Sequence, residues 1–97
     1  MGYHVAIAEE AEADIREAFL WYEDQKNELG DLFQDYIFKA VKSVRINPLK
    51  YQVRYDDVRI CFLKKFPYGV HFTVTEDEIL IIAVFHTSLD PQKRYKR

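Results

Sequence analysis

The side chains able to do chemistry lie mostly in the second half of the chain. His86 closes an apolar run that begins at Ile79, and His71 stands in the alternating stretch before it. Histidine exchanges a proton near neutral pH, so two on one site can serve acid–base chemistry. The commoner outcome is a packed, hydrogen-bonded ring. Tyr68 follows Phe66-Pro67. It reads either as a core aromatic with its hydroxyl at the rim, or as a stacking or general-base group. Arg59 has the parity opposite to Ile60. It is either a solvated or ion-paired strand residue, or an anchor for carboxylate or phosphate, which a guanidinium grips bidentately. Lys64 and Lys65 extend that patch or mark a plain exposed bend. Lys93-Arg94-Tyr95-Lys96-Arg97 is a basic tail.

Other chemistries find no foothold. Three dispersed histidines, of which His4 carries no signal, and one cysteine lack metal-ligand spacing. No phosphate loop, dinucleotide fingerprint or nucleophile elbow occurs, so no cofactor is expected. Cys61 has no partner for an internal disulfide. Within a strand it reads as a small buried hydrophobe in an intracellular, cytoplasmic protein.

The elements that must position these residues follow from periodicity. Val58, Ile60 and Phe62 share one parity, and Tyr68, Val70, Phe72 and Val74 another. Such alternation marks half-buried strands. Thr75 to Glu78 is a link of hairpin length. Ile79 to Phe85 has no polar face, which predicts an inner strand covered on both sides. The whole reads as an antiparallel meander, preceded by a strand–turn signal at Tyr51, Val53, Tyr55 and Asp56-Asp57.

The first half supplies the cover. Tyr3, Val5 and Ile7 predict a short first strand. Ala11, Ile15, Ala18, Phe19 and Tyr22 predict a helix from about Glu9 to Glu28, its first turn acidic as the helix dipole favours. Leu29-Gly30-Asp31 breaks it, with Asp31 as N-cap of a second helix that Asn47-Pro48 stops. The short break implies a helical hairpin. Ile15, Phe19, Tyr22, Phe33, Ile37, Val44, Phe72, Ile81 and Ala83 are expected to share a core. Leu20, Trp21 and Phe38 lie off the apolar stripes, and either a neighbouring element buries them or they face a partner.

Ninety-seven residues suit one domain, residues 1–97. Residues 1–35 hold ten acids and two bases, whereas 36–97 hold six acids and twelve bases. The basic half either meets an acidic partner or is neutralised within the fold. No apolar run approaches the ~18–20 residues of a membrane span, so no membrane partner is expected. The start of the chain is no signal peptide.

A further pattern runs along the chain in order: Trp21-Tyr22-Glu23, Leu29-Gly30 with Phe33, Asn47-Pro48 with Tyr51, Val58-Arg59, Phe66-Pro67-Tyr68, Val84-Phe85-His86, then Asp90-Pro91 and a terminal Arg97. It resembles the RelE/ParE superfamily of toxins from bacterial toxin–antitoxin modules, more closely the ParE-like, plasmid-stabilisation branch. The resemblance implies the α+β architecture that periodicity reaches alone: an N-terminal strand, and an antiparallel helical hairpin packed on a mainly antiparallel sheet. It also implies the toxin of a type II toxin–antitoxin module that blocks an essential target, in this branch DNA gyrase. The resemblance further implies a cognate antitoxin with a disordered, usually acidic segment. That segment is expected across the sheet and the basic half, reaching Arg59 and the tail; a homodimer is compatible.

The RelE branch implies instead an enzyme, a ribosome-dependent mRNA endoribonuclease. Arg59, Lys64, Tyr68, His86, Arg94 and Tyr95 would then be the catalytic candidates. A third reading is an attenuated toxin that only binds antitoxin. Target- or antitoxin-binding candidates are Arg59, Lys64, Tyr68, His86, Leu89, Arg94, Tyr95 and Arg97. Leu89 stands where the branch commonly has arginine, three residues after the histidine, and Tyr95 where relatives often carry tryptophan. A pI of about 5.9 weighs against gripping ribosomal RNA.

Overall fold

A computed structural model of the protein describes residues 2–89. The elements are β1 (His4–Ile7), α1 (Glu9–Gln25), α2 (Leu29–Ile46), a short 3-10 turn (Pro48–Lys50), β2 (Val53–Tyr55), β3 (Val58–Phe62), β4 (Tyr68–Val74) and β5 (Glu78–His86). The sheet order is β1-β5-β4-β3-β2. Strands β2 to β5 form the expected antiparallel meander, and β1 lies parallel to β5 at the far edge. The helical hairpin packs on one face of this α+β fold. No helix of the described residues is long and apolar enough to cross a membrane.

The hairpin is closed differently from the expectation. Asp31 does not cap α2, because the helix already begins at Leu29. Glu28 precedes it in the left-handed region, at φ 72°. The cap comes from α1. The Glu23 carboxylate accepts the Glu28 N–H at 3.0 Å and the Gly30 N–H at 2.8 Å, satisfying donors that a helix start leaves unpaired. Gly30 is required there, since a Cβ would come within 2.6 Å of the Phe19 carbonyl oxygen.

Phe33, Ile37, Val44, Phe72 and Ile81 form the core between helices and sheet, with Ile15 and Tyr22 packed at its margin. Ala83, expected among them, is buried on the other face. The pairing jumps from His71↔Ala83 to Phe72↔Ile81, so Ile82 bulges out of register. A bulge of one residue inverts the facing of the residues beyond it. Ile79 and Ile81 before it, and Val84 after it, all reach the helix-covered core. Strand β5 is therefore not covered on both sides throughout: Leu80 is 39% exposed, whereas Ala83, Val84 and Phe85 are buried. Phe19 is half-buried at the helix–helix seam, outside the central cluster. Among the described residues no neighbouring element buries Leu20, Trp21 or Phe38, which are each more than half exposed.

Candidate functional site

Tyr68 and His86 are paired across β4 and β5, the first residue of one strand opposite the last of the other. Their rings meet edge to face at 5.3 Å. Behind them runs an aromatic cluster from both helices and the β3–β4 link. Phe33 lies 5.2 Å from the Tyr68 ring, and Phe66 lies 5.0 Å from Tyr22 and 5.3 Å from Phe33. Edge-to-face contacts at these separations fix ring orientation as well as burying area. Tyr68 is thus held by the hairpin, and it lines a small depression.

That depression holds about 200 Å³ and is lined by Asp14, Glu17, Ala18, Trp21, Tyr68, Val84, His86 and Leu89. Helix α1 supplies one wall, and the ends of β4 and β5 the other. Burial first, and the Glu17 carboxylate second, push the Tyr68 phenol above its ordinary range. The Nδ1 of His86 accepts the Ser88 N–H at 3.0 Å and lies 2.8 Å from the Ser88 hydroxyl. A backbone donor on Nδ1 places the proton of the neutral ring on Nε2. The imidazole therefore presents a donor, and Tyr68 is a poor base. Lysine and arginine do not line the depression among the described residues. An acidic wall beside an aromatic pair suits a cationic or hydrogen-bond-donating group of a partner far better than a phosphate.

The other candidates do not converge on it. Arg59 donates to the Tyr51 carbonyl at 2.5 Å and to the Leu49 carbonyl at 3.5 Å. It fastens the segment before β2 to β3. Lys64 lines a separate cleft with Lys39 and Lys50. His71 does not share a face with Tyr68, being its odd neighbour in β4. It is buried, with Nδ1 2.8 Å from the Tyr55 hydroxyl and its ring 5.0 Å from Phe85. His71 and His86 therefore do not share a site, and His71 is the packed, hydrogen-bonded ring that was the commoner of the two expectations. Cys61 is buried, and burial pushes its thiol up. Leu89 is 37% exposed at the mouth of the depression. Arg94, Tyr95 and Arg97 lie outside the described residues. Among those described, no cluster of His, Cys, Asp and Glu is arranged to hold a metal ion.

Asp14 and Glu17 escaped the sequence reading as site residues, and Trp21 stood out for lying off the apolar stripes and for its place in the Trp21-Tyr22-Glu23 motif, not as a site residue. The acids of α1 were accounted for by the helix dipole alone. The missed signal is spacing, since residues 14, 17, 18 and 21 form one stripe of a helix. That stripe is acidic at one end and carries an exposed tryptophan at the other.

The chain is matched over residues 5–91 by the family described as the ParE toxin of the type II toxin–antitoxin system, parDE. A solved structure titled "Chromosomal ParDE TA system from P. aeruginosa" is similar in fold, with a TM-score of 0.76 at 20% identity. The similarity covers 87% of this chain and 95% of that one. No curated protein matches. The helical hairpin on its meander and the match over nearly the whole chain lead to one conclusion: the chain belongs to the family of ParE toxins of type II toxin–antitoxin systems.

Proposed function

We propose that this protein acts in the bacterial cytoplasm by binding and inhibiting DNA gyrase, and that a cognate antitoxin neutralises it. Membership of the ParE family supports the choice of target. The observation that supports a binder over a nuclease is the placement of Glu17 and Asp14 beside Tyr68 and His86. RNA cleavage develops negative charge on phosphate, which cations must stabilise. Carboxylates on the wall of the site oppose it. The raised Tyr68 phenol and the engaged Nδ1 of His86 point the same way, because a general base needs a free acceptor near the working pH.

Induced expression in a bacterial host tests this reading. The expected response is DNA damage signalling with filamentation while translation continues. Immediate arrest of translation without a DNA damage response contradicts it.

A further inference from the structure

A second cleft, of about 410 Å³, opens between α2, the Pro48–Lys50 turn and the end of β3. Lysines stand around it on three segments: Lys39 on α2, Lys50 on the turn and Lys64 just after β3. Two ammonium groups gather on one ring, Lys39 at 4.8 Å and Lys65 at 5.9 Å from the centre of Tyr36. Lys65 reaches that ring from the left-handed region, at φ 69°, which residues other than glycine seldom adopt. Lys50 lies 5.1 Å from the centre of the Tyr51 ring. The Tyr51 hydroxyl pairs with that of Ser43 at 2.6 Å, and Ser43 lies seven residues beyond Tyr36 on α2, about 10 Å along the helix. The floor between these ends is apolar, with Ala40 and Cys61 buried, and Phe62, also lining it, is 49% exposed. Among the described residues the lining contains neither carboxylate nor arginine.

Gathered like charges call for an anion, and their arrangement selects which. Cations at ends set about 10 Å apart are too widely spaced for one phosphate or carboxylate. A chain that carries a charge at every repeat meets both. A guanidinium fork matches the plane of a carboxylate, whereas an ammonium is a point charge that serves a tetrahedral phosphate from any side. Lysine without arginine therefore favours a phosphodiester over an acidic peptide. The exposed Phe62 adds a flat face on which a base of any kind can stack. The volume is that of a small-molecule pocket, which takes a nucleotide of one strand and not the width of a duplex.

We propose that this cleft binds a single strand of DNA, with phosphates on the lysines of its two ends and a base against Phe62. The proposal rests on the proposed function for the source of the strand, the DNA that gyrase handles. On a chain of formal charge −2 the two sites then divide the work: the acidic depression meets protein, and the basic cleft meets nucleic acid.

The test uses the full chain and a fluorescent oligothymidylate, followed by anisotropy over a range of salt. Four ammonium groups on a single strand predict a slope of log affinity against log salt of about −3. Lys39→Gln and Lys64→Gln should each make that slope shallower by about 0.7. Phe62→Ala should weaken binding by ~10-fold, the worth of one stacked base, with the slope kept, and Phe62→Trp should retain it. Lys26→Gln, on the α1–α2 link, should change neither. Amide NMR shifts at Ala40, Cys61 and Leu63 are expected to report the strand in the cleft. The proposal is overturned if the oligonucleotide does not bind at low salt or if shifts cluster elsewhere. It is overturned too if a glutamate peptide or thymidine monophosphate binds as tightly, or an RNA of the same length more tightly. Gyrase supercoiling measured on the same variants separates the two readings. A protein that holds the strand but spares gyrase leaves the cleft standing and sinks the target. Inhibition undiminished in a Lys39→Gln, Lys64→Gln double variant that has lost the strand overturns the cleft's part and leaves the target.

Discussion

The carboxylate of Asp14, on α1, accepts the main-chain N–H of Val84, on β5, at 2.9 Å. Strand β1 pairs with β5 only as far as Ile81. Beyond that point β5 has no strand on that side among the described residues, and Asp14 takes the place of a strand neighbour. The same residue closes the depression beside Tyr68 and His86. One side chain thus both completes the edge of the sheet and sets the charge of the site.

Asp14→Ala leaves the Val84 donor unsatisfied under α1. It should lower stability by about 1.5–3 kcal/mol, the range for a hydrogen bond to a charged group. Asp14→Asn keeps an acceptor and should cost less. Urea unfolding of the two variants measures the difference, and equal losses would show that the N–H contact contributes nothing.

Phe72 is fully buried opposite Arg59 and beside Tyr51, whose ring it meets edge to face at 5.8 Å. Phe72→Ala removes an aromatic from the centre of the core and should cost about 3–5 kcal/mol. A change in the unfolding midpoint corresponding to less than half of that would mean the site collapses around the smaller side chain.

Alkaline pH should destabilise the fold. Burial is the first cause of the upward shifts of Tyr22, Tyr51, Tyr68 and Cys61. Each is favoured in its neutral form. The associated stability is therefore complete below the unfolded-state values, about 8.5 for the thiol and about 10 for the phenols. It is lost as pH rises through the higher folded values. Unfolding midpoints should be level from neutrality to the onset of thiol ionisation and then fall. Tyr68→Phe should remove part of that fall. A midpoint unchanged into the phenol range speaks against it.

Leu89 is accessible, so replacing it tests recognition rather than packing. Its N–H bonds the His86 carbonyl at 3.0 Å, which holds the position at the rim of the acidic depression. An arginine at the rim adds one charge-assisted contact to an acidic target group that lies outside the depression, worth about 1.5–3 kcal/mol. That corresponds to roughly 10- to 100-fold in affinity. Leu89→Arg should raise growth inhibition, and the present sequence should inhibit weakly. Strong inhibition by the native chain, unchanged by Leu89→Arg, removes the basis for this expectation.

Much of the fold was legible because its signals are local. The alternation around Phe72 and the helical stripe through Phe33, Ile37 and Val44 each report one buried face. The bulge at Ile82 was not legible. In an almost wholly apolar run nothing marks where facing inverts, so Ala83 was assigned to the wrong side. The Glu23 cap was hidden for a different reason: a carboxylate reaching forward from the preceding helix leaves no pattern at the cap position itself. The site was legible only in part. Tyr68 and His86 meet because hairpin pairing sets their register. Arg59 and Lys64 looked equally suited by residue type, but Arg59 stands opposite Phe72, further along β4, where the chain before β2 binds its guanidinium, and Lys64 lies past the end of β3 beside another cleft.

The most direct test of the central claim is gyrase supercoiling in the presence of purified, antitoxin-free protein, with mRNA cleavage on translating ribosomes measured in parallel. Dose-dependent inhibition of supercoiling, stronger for Leu89→Arg, with intact mRNA is the predicted result. Unimpaired supercoiling together with ribosomal A-site cuts that vanish in Tyr68→Phe or His86→Ala would contradict it.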